Sequence, residues 1–419
     1  MIEKYYDGAI EQVAAGLGTV EKNHLLVRYS GQFSVENLND TKQLEKNEDI
    51  FVQVHEFETG EITCAYEPYL TMICDGFRRY MTGTFEEFME TCDVYYLHRP
   101  VLLGYFNQDN TGREEIILLD EVAYEQERML AALERMLCAI ADRHPVLFVL
   151  NRFQLASKST MQLTARFLKC ENCNIGLVLG VSDIQAMPEF LVPDWEMLYE
   201  TLDDGSKIYH IGNSGRKKEE TIDDEKYVDY GSEKVYRKLQ NMVEFLDFDQ
   251  AAYYLETIER KIKFDNLLVD DAARFRMWLL FVKVSILRQD IPKALEICED
   301  LEKIHLAGKE EECAYEQDYL IATAYMYQGK LKEALEMAGE TYRIAGKMSD
   351  DYRMFLSELL EAKIQMSGWY NIFFCAQDVK IKESLIQNLI RYNYRNHLAH
   401  VYIYAYDNKP EIVKKARSE

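Results

Sequence analysis

The pattern of apolar and polar positions changes character along this chain. Up to about residue 212, short unbroken apolar runs alternate with amphipathic stretches; from about residue 230 only the helical period remains. Val146-Leu147-Phe148-Val149-Leu150 follows Pro145, and Ile175 to Val181 reads IGLVLGV. Runs of this length without polar alternation predict strands buried on both faces, as in a parallel sheet. His24 to Tyr29, Ile50 to His55 and Lys207 to Ile211 read as further strands. Between them, residues 1–22, Glu36 to Asn47, Tyr66 to Met81, Phe85 to Cys92, Glu125 to Asp142, Ser157 to Lys169 and Trp195 to Thr201 predict helices. The clearest is Glu125 to Asp142, where Met129, Leu130, Leu133, Met136, Leu137 and Ile140 share one face. Residues 93–123 resist assignment, and Ile116 to Leu119 within them read either as a strand or as a helix start. Strands alternating with helices predict an α/β domain with a parallel sheet over residues 1–214.

Residues 215–230 contain RKKEETIDDEK, with Ile222 its one large apolar residue before Tyr227, and read as a charged linker. Residues 231–419 show no strand pattern and predict an all-α array of helix pairs. Overlaid on the tetratricopeptide pattern, Ala322, Tyr325, Gly329, Leu331, Ala334 and Ala338 fall where that repeat wants its small and large residues. Ala251, Ala294, Ala334 and Ile372 take the helix-contact alanine position. They recur about every 40 residues, wider than the ~34 of the standard unit, so these are stretched repeats. Small residues there let paired helices approach closely. Glu419 falls inside a helical pattern, so an array running on past it is an expectation. The inner-face positions give Arg276, Leu279, Lys283, Ile286 and Leu287 in one unit and Glu316, Tyr319, Thr323, Met326 and Tyr327 in the next. Of these, Arg276, Leu279, Lys283, Tyr319, Thr323, Met326 and Tyr327 make up a candidate groove for a protein, a peptide or a small inducer. The alternative is that neighbouring helices cover this face.

Composition narrows the partners. Apolar residues make up 48% and charged residues 29% of 419, a normal soluble balance. The 72 acids against 48 bases give a formal charge of −24, which repels phosphate backbones and argues against direct nucleic-acid binding. The start, MIEKYYDGAIEQ, is not a signal peptide, and the longest apolar run, Trp278 to Leu287, contains Lys283 and is too short for a bilayer. With nine scattered cysteines, the expectation is a cytoplasmic protein with reduced thiols and no membrane contact.

RHPVLFVLNRFQLASKSTMQLTARFL, after a long helix and before NIGLVLGVSD, resembles the P-loop domain of the STAND-class ATPases, which include the large bacterial regulators similar to the maltose activator. In that family the strand ends in two aspartates, followed by a hydrophobic residue, His or Gln, Trp, Ala and Asp. Here Asn151 and Arg152 stand at the two acid positions, Gln154 at the His/Gln position, Leu155 at the Trp position and Ala156 at the Ala position. The resemblance implies that Ile175 to Val181 is the neighbouring sensor strand and that helical repeats follow. It also implies a phosphate loop after the first strand, in LLVRYSGQFSVENLND. A working loop needs glycines whose N–H groups wrap the phosphates, a Lys for the terminal phosphate and Ser/Thr for Mg²⁺. Only Ser30 and Gly31 remain, and Val35-Glu36 sits where Lys-Ser or Lys-Thr would fall. With loop and acid pair both absent, the expectation is a degenerate, non-catalytic ATPase-like domain without cofactor or metal, in a regulator or scaffold of the transcription or signalling kind.

Other signals compete. Asp120-Glu121 ends an apolar run and, with Asp183, defines an alternative nucleotide site; its other reading is a helix start that favours acids. Cys170-Glu171-Asn172-Cys173 is a lone CxxC closing a helix and reads as a structural turn. His397 and His400 share a helical face without a nearby acid and read as surface or partner-contact residues.

Overall fold

The computed structural model describes residues 2–18, 24–29, 49–58, 60–109, 121–170, 174–182, 187–203, 207–211, 229–265, 267–367 and 382–408. They form two compact units. The first gathers the described residues of Met1–Gly112, Val122–Tyr230 and Arg237–Tyr254; the second gathers those of Arg113–Glu121, Gly231–Tyr236 and Leu255–Glu419. The helical residues 237–254, which the pattern groups with the repeats, thus belong to the first unit.

The first unit is built on a five-stranded sheet. Its strands are β1 (Leu25–Tyr29), β2 (Phe51–Glu56), β3 (Val146–Asn151), β4 (Ile175–Ser182) and β5 (Lys207–Ile211), in the spatial order β2-β3-β4-β1-β5. Every pairing is parallel, with Val146 opposite both Phe51 and Ile175, and Leu25 opposite both Val178 and Lys207. All six residues of β3 are buried, as its unbroken apolar run requires. Helices α1 (Ile2–Gly16), α2 (Tyr69–Tyr80), α3 (Phe85–Thr91), α4 (Arg99–Asn107), α5 (Val122–Ala141), α6 (Lys158–Lys169) and α7 (Val192–Asp203) complete most of this unit.

Strand alternation sorts the side chains onto two faces. On one, Ala9, Ile10 and Val13 of α1 pack on Leu25, Val27 and Tyr29 of β1, Leu147 and Val149 of β3 and Val178 of β4. Gly176 makes that approach possible, because a Cβ there would lie 2.6 Å from Val13 Cγ1. On the other face, the Phe148 ring meets the Tyr69 ring edge-on at 4.6 Å, and Tyr69 meets Phe167 at 5.4 Å. Each such fully buried aromatic contributes about 1.5–3 kcal/mol relative to exposure.

The second unit is all-helical. It contains α10 (Asp271–Leu287), α11 (Ile291–Leu301), α12 (Glu310–Gln328), α13 (Leu331–Met348), α14 (Asp351–Met366), α15 (Glu383–Arg391) and α16 (Arg395–Asn408). α8 (Glu233–Glu244) and α9 (Phe248–Phe264) each contribute residues to both units. Three turns in the second unit share one design. Gln289, Gly329 and Ser349 adopt left-handed backbone with φ of 62°, 82° and 57°, which ends one helix and reverses the chain. Asp290 and Asp350 then cap the next helix, their carboxylates accepting the N–H groups of Lys293 and Arg353. Ala294, Ala322 and Ala334 are fully buried, and Ala322, Ala334 and Ala338 pack with Leu331, Leu360 and Ile364. Among the described residues, no helix is long and apolar enough to cross a membrane.

The predicted helix Glu36 to Asn47 lies outside the described residues. So do residues 215–228 of the linker and the repeat position Ile372. Residues 99–107, left unassigned by the sequence, form α4, and α5 begins at Val122 rather than Glu125.

Candidate functional site

Two places invite a ligand: the carboxyl end of the parallel sheet, where α/β folds bind their substrates, and the inner face of the helical array.

At the sheet end, β3 finishes on Asn151 and turns at Arg152. Arg152 holds a left-handed backbone with φ of 53°, costly for a residue with a Cβ, and this turns the chain sharply into the single 3-10 turn Phe153–Leu155. Ser157 then caps α6, its hydroxyl accepting from the Thr160 N–H. The Asn151 side chain is fully buried, and its Oδ1 accepts a hydrogen bond of 2.7 Å from the Tyr29 hydroxyl on β1. The two strands are separated by β4. Gly180 of β4, two residues on from Val178 and so on the same face, places no side chain between them. Burial pushes the Tyr29 phenol up to about 12, the nearby Arg152 guanidinium pulling the other way. Arg152 itself pairs with Glu56 at the end of β2, Nε to Oε1 at 3.4 Å. Gln154 Oε1 accepts the N–H of Ser182 at the end of β4. The end of β3 thus carries an amide bonded to β1, two strands away, and a guanidinium paired with the adjacent β2. Neither group is a base, and an amide beside a cation is a poor Mg²⁺ ligand.

The remaining nucleotide-related positions divide. Ser30, Gly31, Asp120 and Asp183 lie outside the described residues. Glu121 opens the turn before α5, and its carboxylate faces His400 Nε2 and Asn396 Nδ2, each at 3.5 Å. His400 therefore has an acid partner that its own helix did not reveal. His397, expected at the surface, is buried and packs its ring against Tyr394 at 5.4 Å. Of the CxxC pair, Cys173 lies outside the described residues, and Cys170 Sγ lies 3.8 Å from Cys138 Sγ. Among the described residues, no cluster of three or more His, Cys, Asp and Glu could hold a metal ion.

Further buried ionisable groups of the first unit carry no sequence signature. Asp247 is buried near the start of α6 and accepts the Ser159 N–H at 3.0 Å. Burial pushes its carboxyl above the usual range, while the bonds from Ser159 hold it down. Its place at a helix N-terminus accounts for it as a cap. Lys158, one residue earlier, pairs with Asp249. His98 and Glu125, both fully buried, pair at 3.0 Å between Nε2 and Oε2, and Arg128 joins Glu125 at 2.6 Å.

The inner face of the second unit is different, for it holds a cavity of about 530 Å³ walled by α10, α12 and α14. On α12, Tyr315, Tyr319, Thr323 and Tyr327 recur at every fourth position and form one wall. Lys283, Ile286 and Leu287, near the end of α10, close one side. From α14 come Tyr352, Arg353, Leu356, Leu360 and Lys363. Arg353 is held by Glu316 at 2.8 Å and Asp350 at 3.3 Å, and its guanidinium lies over the Tyr315 ring, 5.2 Å from its centroid. Burial pushes the phenols of Tyr315 and Tyr319 well above the usual tyrosine range.

Of the seven groove residues expected from the sequence, Lys283, Tyr319, Thr323 and Tyr327 line this cavity. Arg276 does not; it pairs with Glu233 at 2.8 Å and lies over the Tyr236 ring at 4.9 Å. Leu279 is half-buried outside the lining, and Met326 packs against the Ala322–Ala334 cluster. The α14 wall lies outside the groove positions read from the sequence; its signal is the run Tyr352-Arg353-Met354-Phe355-Leu356.

No protein-family profile matches this chain, and no curated protein is significantly similar to it.

Proposed function

We propose that this protein is a non-catalytic regulatory or scaffold module that recognises a small ligand or a short peptide in its helical array. The sheet domain serves as a degenerate P-loop-like ATPase fold without bound nucleotide, and the array as a set of stretched tetratricopeptide-like repeats. One observation carries the reading: the cavity of about 530 Å³ on the inner face of α10, α12 and α14. Its volume falls within the roughly 300–1,000 Å³ range of small-molecule sites, and its walls are mostly apolar and aromatic, with Lys283, Glu316, Asp350, Arg353 and Lys363 as the charged groups.

The order of strands supports the first half of the proposal. β4, which resembles a sensor strand, lies between the strand preceding the degenerate loop and the strand that would carry the acids. The bonds of Asn151 to Tyr29 and of Arg152 to Glu56 speak for a fold retained without its chemistry. The competing reading, nucleotide chemistry around Asp120 and Glu121, is disfavoured by the engagement of Glu121 with His400 and Asn396.

The test is to plug the cavity. Thr323 is half-buried in its wall, so Thr323→Trp places an indole in the space without disturbing the alanine contacts behind it. A mixture of anionic, neutral and cationic organic fragments, with short peptides, is screened by ligand-observed NMR against both proteins, and circular dichroism checks their fold. Binders lost on plugging are expected. If no compound of any charge distinguishes the two proteins, recognition does not occur in this cavity.

A further inference from the structure

We infer that the cavity of the helical array selects a small monoanion with an apolar or aromatic body, a carboxylate seated on Lys283. This deepens the proposed ligand-binding reading and rests on it.

Three hydroxyls of the cavity walls are already bonded within the protein. Tyr315 donates its hydroxyl to the Arg353 carbonyl oxygen at 3.0 Å. The Tyr352 hydroxyl is bonded to the Tyr394 hydroxyl at 2.7 Å. Thr323 Oγ1 donates to the Tyr319 carbonyl oxygen at 2.8 Å. Those polar tips are taken up by the protein, so these side chains present ring surface and a methyl group to the cavity, beside Ile286, Leu287 and Leu356. A ligand body that fills this space is rewarded for being apolar.

The charges follow the same logic. Arg353 is neutralised by Glu316 and Asp350, and Asp350 also caps α14. Lys363 is engaged within the protein. Lys283 differs: among the described residues its ammonium has neither an acidic partner nor a hydrogen bond, although its side chain helps to wall the cavity. The lysine stem can lie along the apolar wall with the ammonium at the cavity margin. An anion placed there gains a charge-assisted hydrogen bond that no protein group competes for. A cation gains nothing comparable, since both acids of the wall are already paired with Arg353. The protein's charge of −24 makes this local preference one that runs against its overall field.

The experiment uses three probes of one shape: phenylbutyrate, phenylbutanamide and phenylbutylamine. Each is titrated calorimetrically into the full chain, into Lys283→Met, into Lys283→Arg and into the Thr323→Trp plug. Wild type is expected to bind the carboxylate at least about tenfold more tightly than the amide, with the preference falling as salt is added. Lys283→Met should abolish the preference while still binding the amide, and Lys283→Arg should retain it. Equal binding of carboxylate and amide, tighter binding of the amine, or a preference that survives Lys283→Met overturns the inference and leaves the cavity reading intact. If no probe of any charge binds in a manner sensitive to the plug, this inference falls, and the fragment and peptide screen decides the ligand-binding reading separately.

Discussion

Single side chains decide what the sheet end can do. Asn151 is fully buried and takes its hydrogen bond from a tyrosine 122 residues away in sequence. Tyr29→Phe removes that donor from a buried amide and should cost about 1–3 kcal/mol, read as a lower midpoint in urea with an unchanged slope. Asp247 gives a pH signature. Its carboxyl is raised by burial, with Ser159, Asp249, Lys158 and Gln250 around it. The folded state therefore holds the proton more tightly than the unfolded chain. Stability contributed by this residue falls as pH rises from the ordinary carboxylate value through the raised folded one. Asp247→Asn keeps an acceptor for the Ser159 N–H and removes the titration. Between about pH 4 and pH 7 the variant should lose less stability, or gain more, than wild type, as followed by thermal melts; parallel curves would contradict the shift. None of these partnerships was legible in the sequence. Asn151 and Arg152 stood out because they occupy positions where acids were expected. Tyr29, Glu56 and Asp247 did not, because long-range hydrogen bonds leave no local period.

Elements were read best where one physical constraint ruled them. β3 and β4 are unbroken apolar runs because both faces are covered, and their lengths came through almost unchanged. α4 was missed because Arg99-Pro100-Val101-Leu102-Leu103-Gly104-Tyr105-Phe106-Asn107 is short and lacks a polar face from which to count a period. In the array, the buried alanines were legible through their spacing, as they must be where helices approach closely. Ala334→Leu should overpack the contact with Leu331, Leu360 and Ile364 and cost about 1–3 kcal/mol, measured by chemical denaturation. The cavity was legible only in part. Position along a helix identified Lys283, Tyr319, Thr323 and Tyr327, but it could not say that the cavity stops short of Arg276 and Leu279 and takes its third wall from α14.

The chain joins a parallel-sheet unit to a helical one, and the proposed recognition belongs to the second. The charge of −24 sets a general expectation: retention on an anionic resin such as heparin should be negligible at physiological salt. In the proposed function, the sheet unit keeps the architecture of a nucleotide hydrolase without its chemistry. The direct measurement is calorimetric titration of the full chain with Mg²⁺ and ATP, with released phosphate assayed in the same samples. The account predicts no saturable heat and no phosphate above the protein-free rate. Saturable binding accompanied by turnover would contradict it.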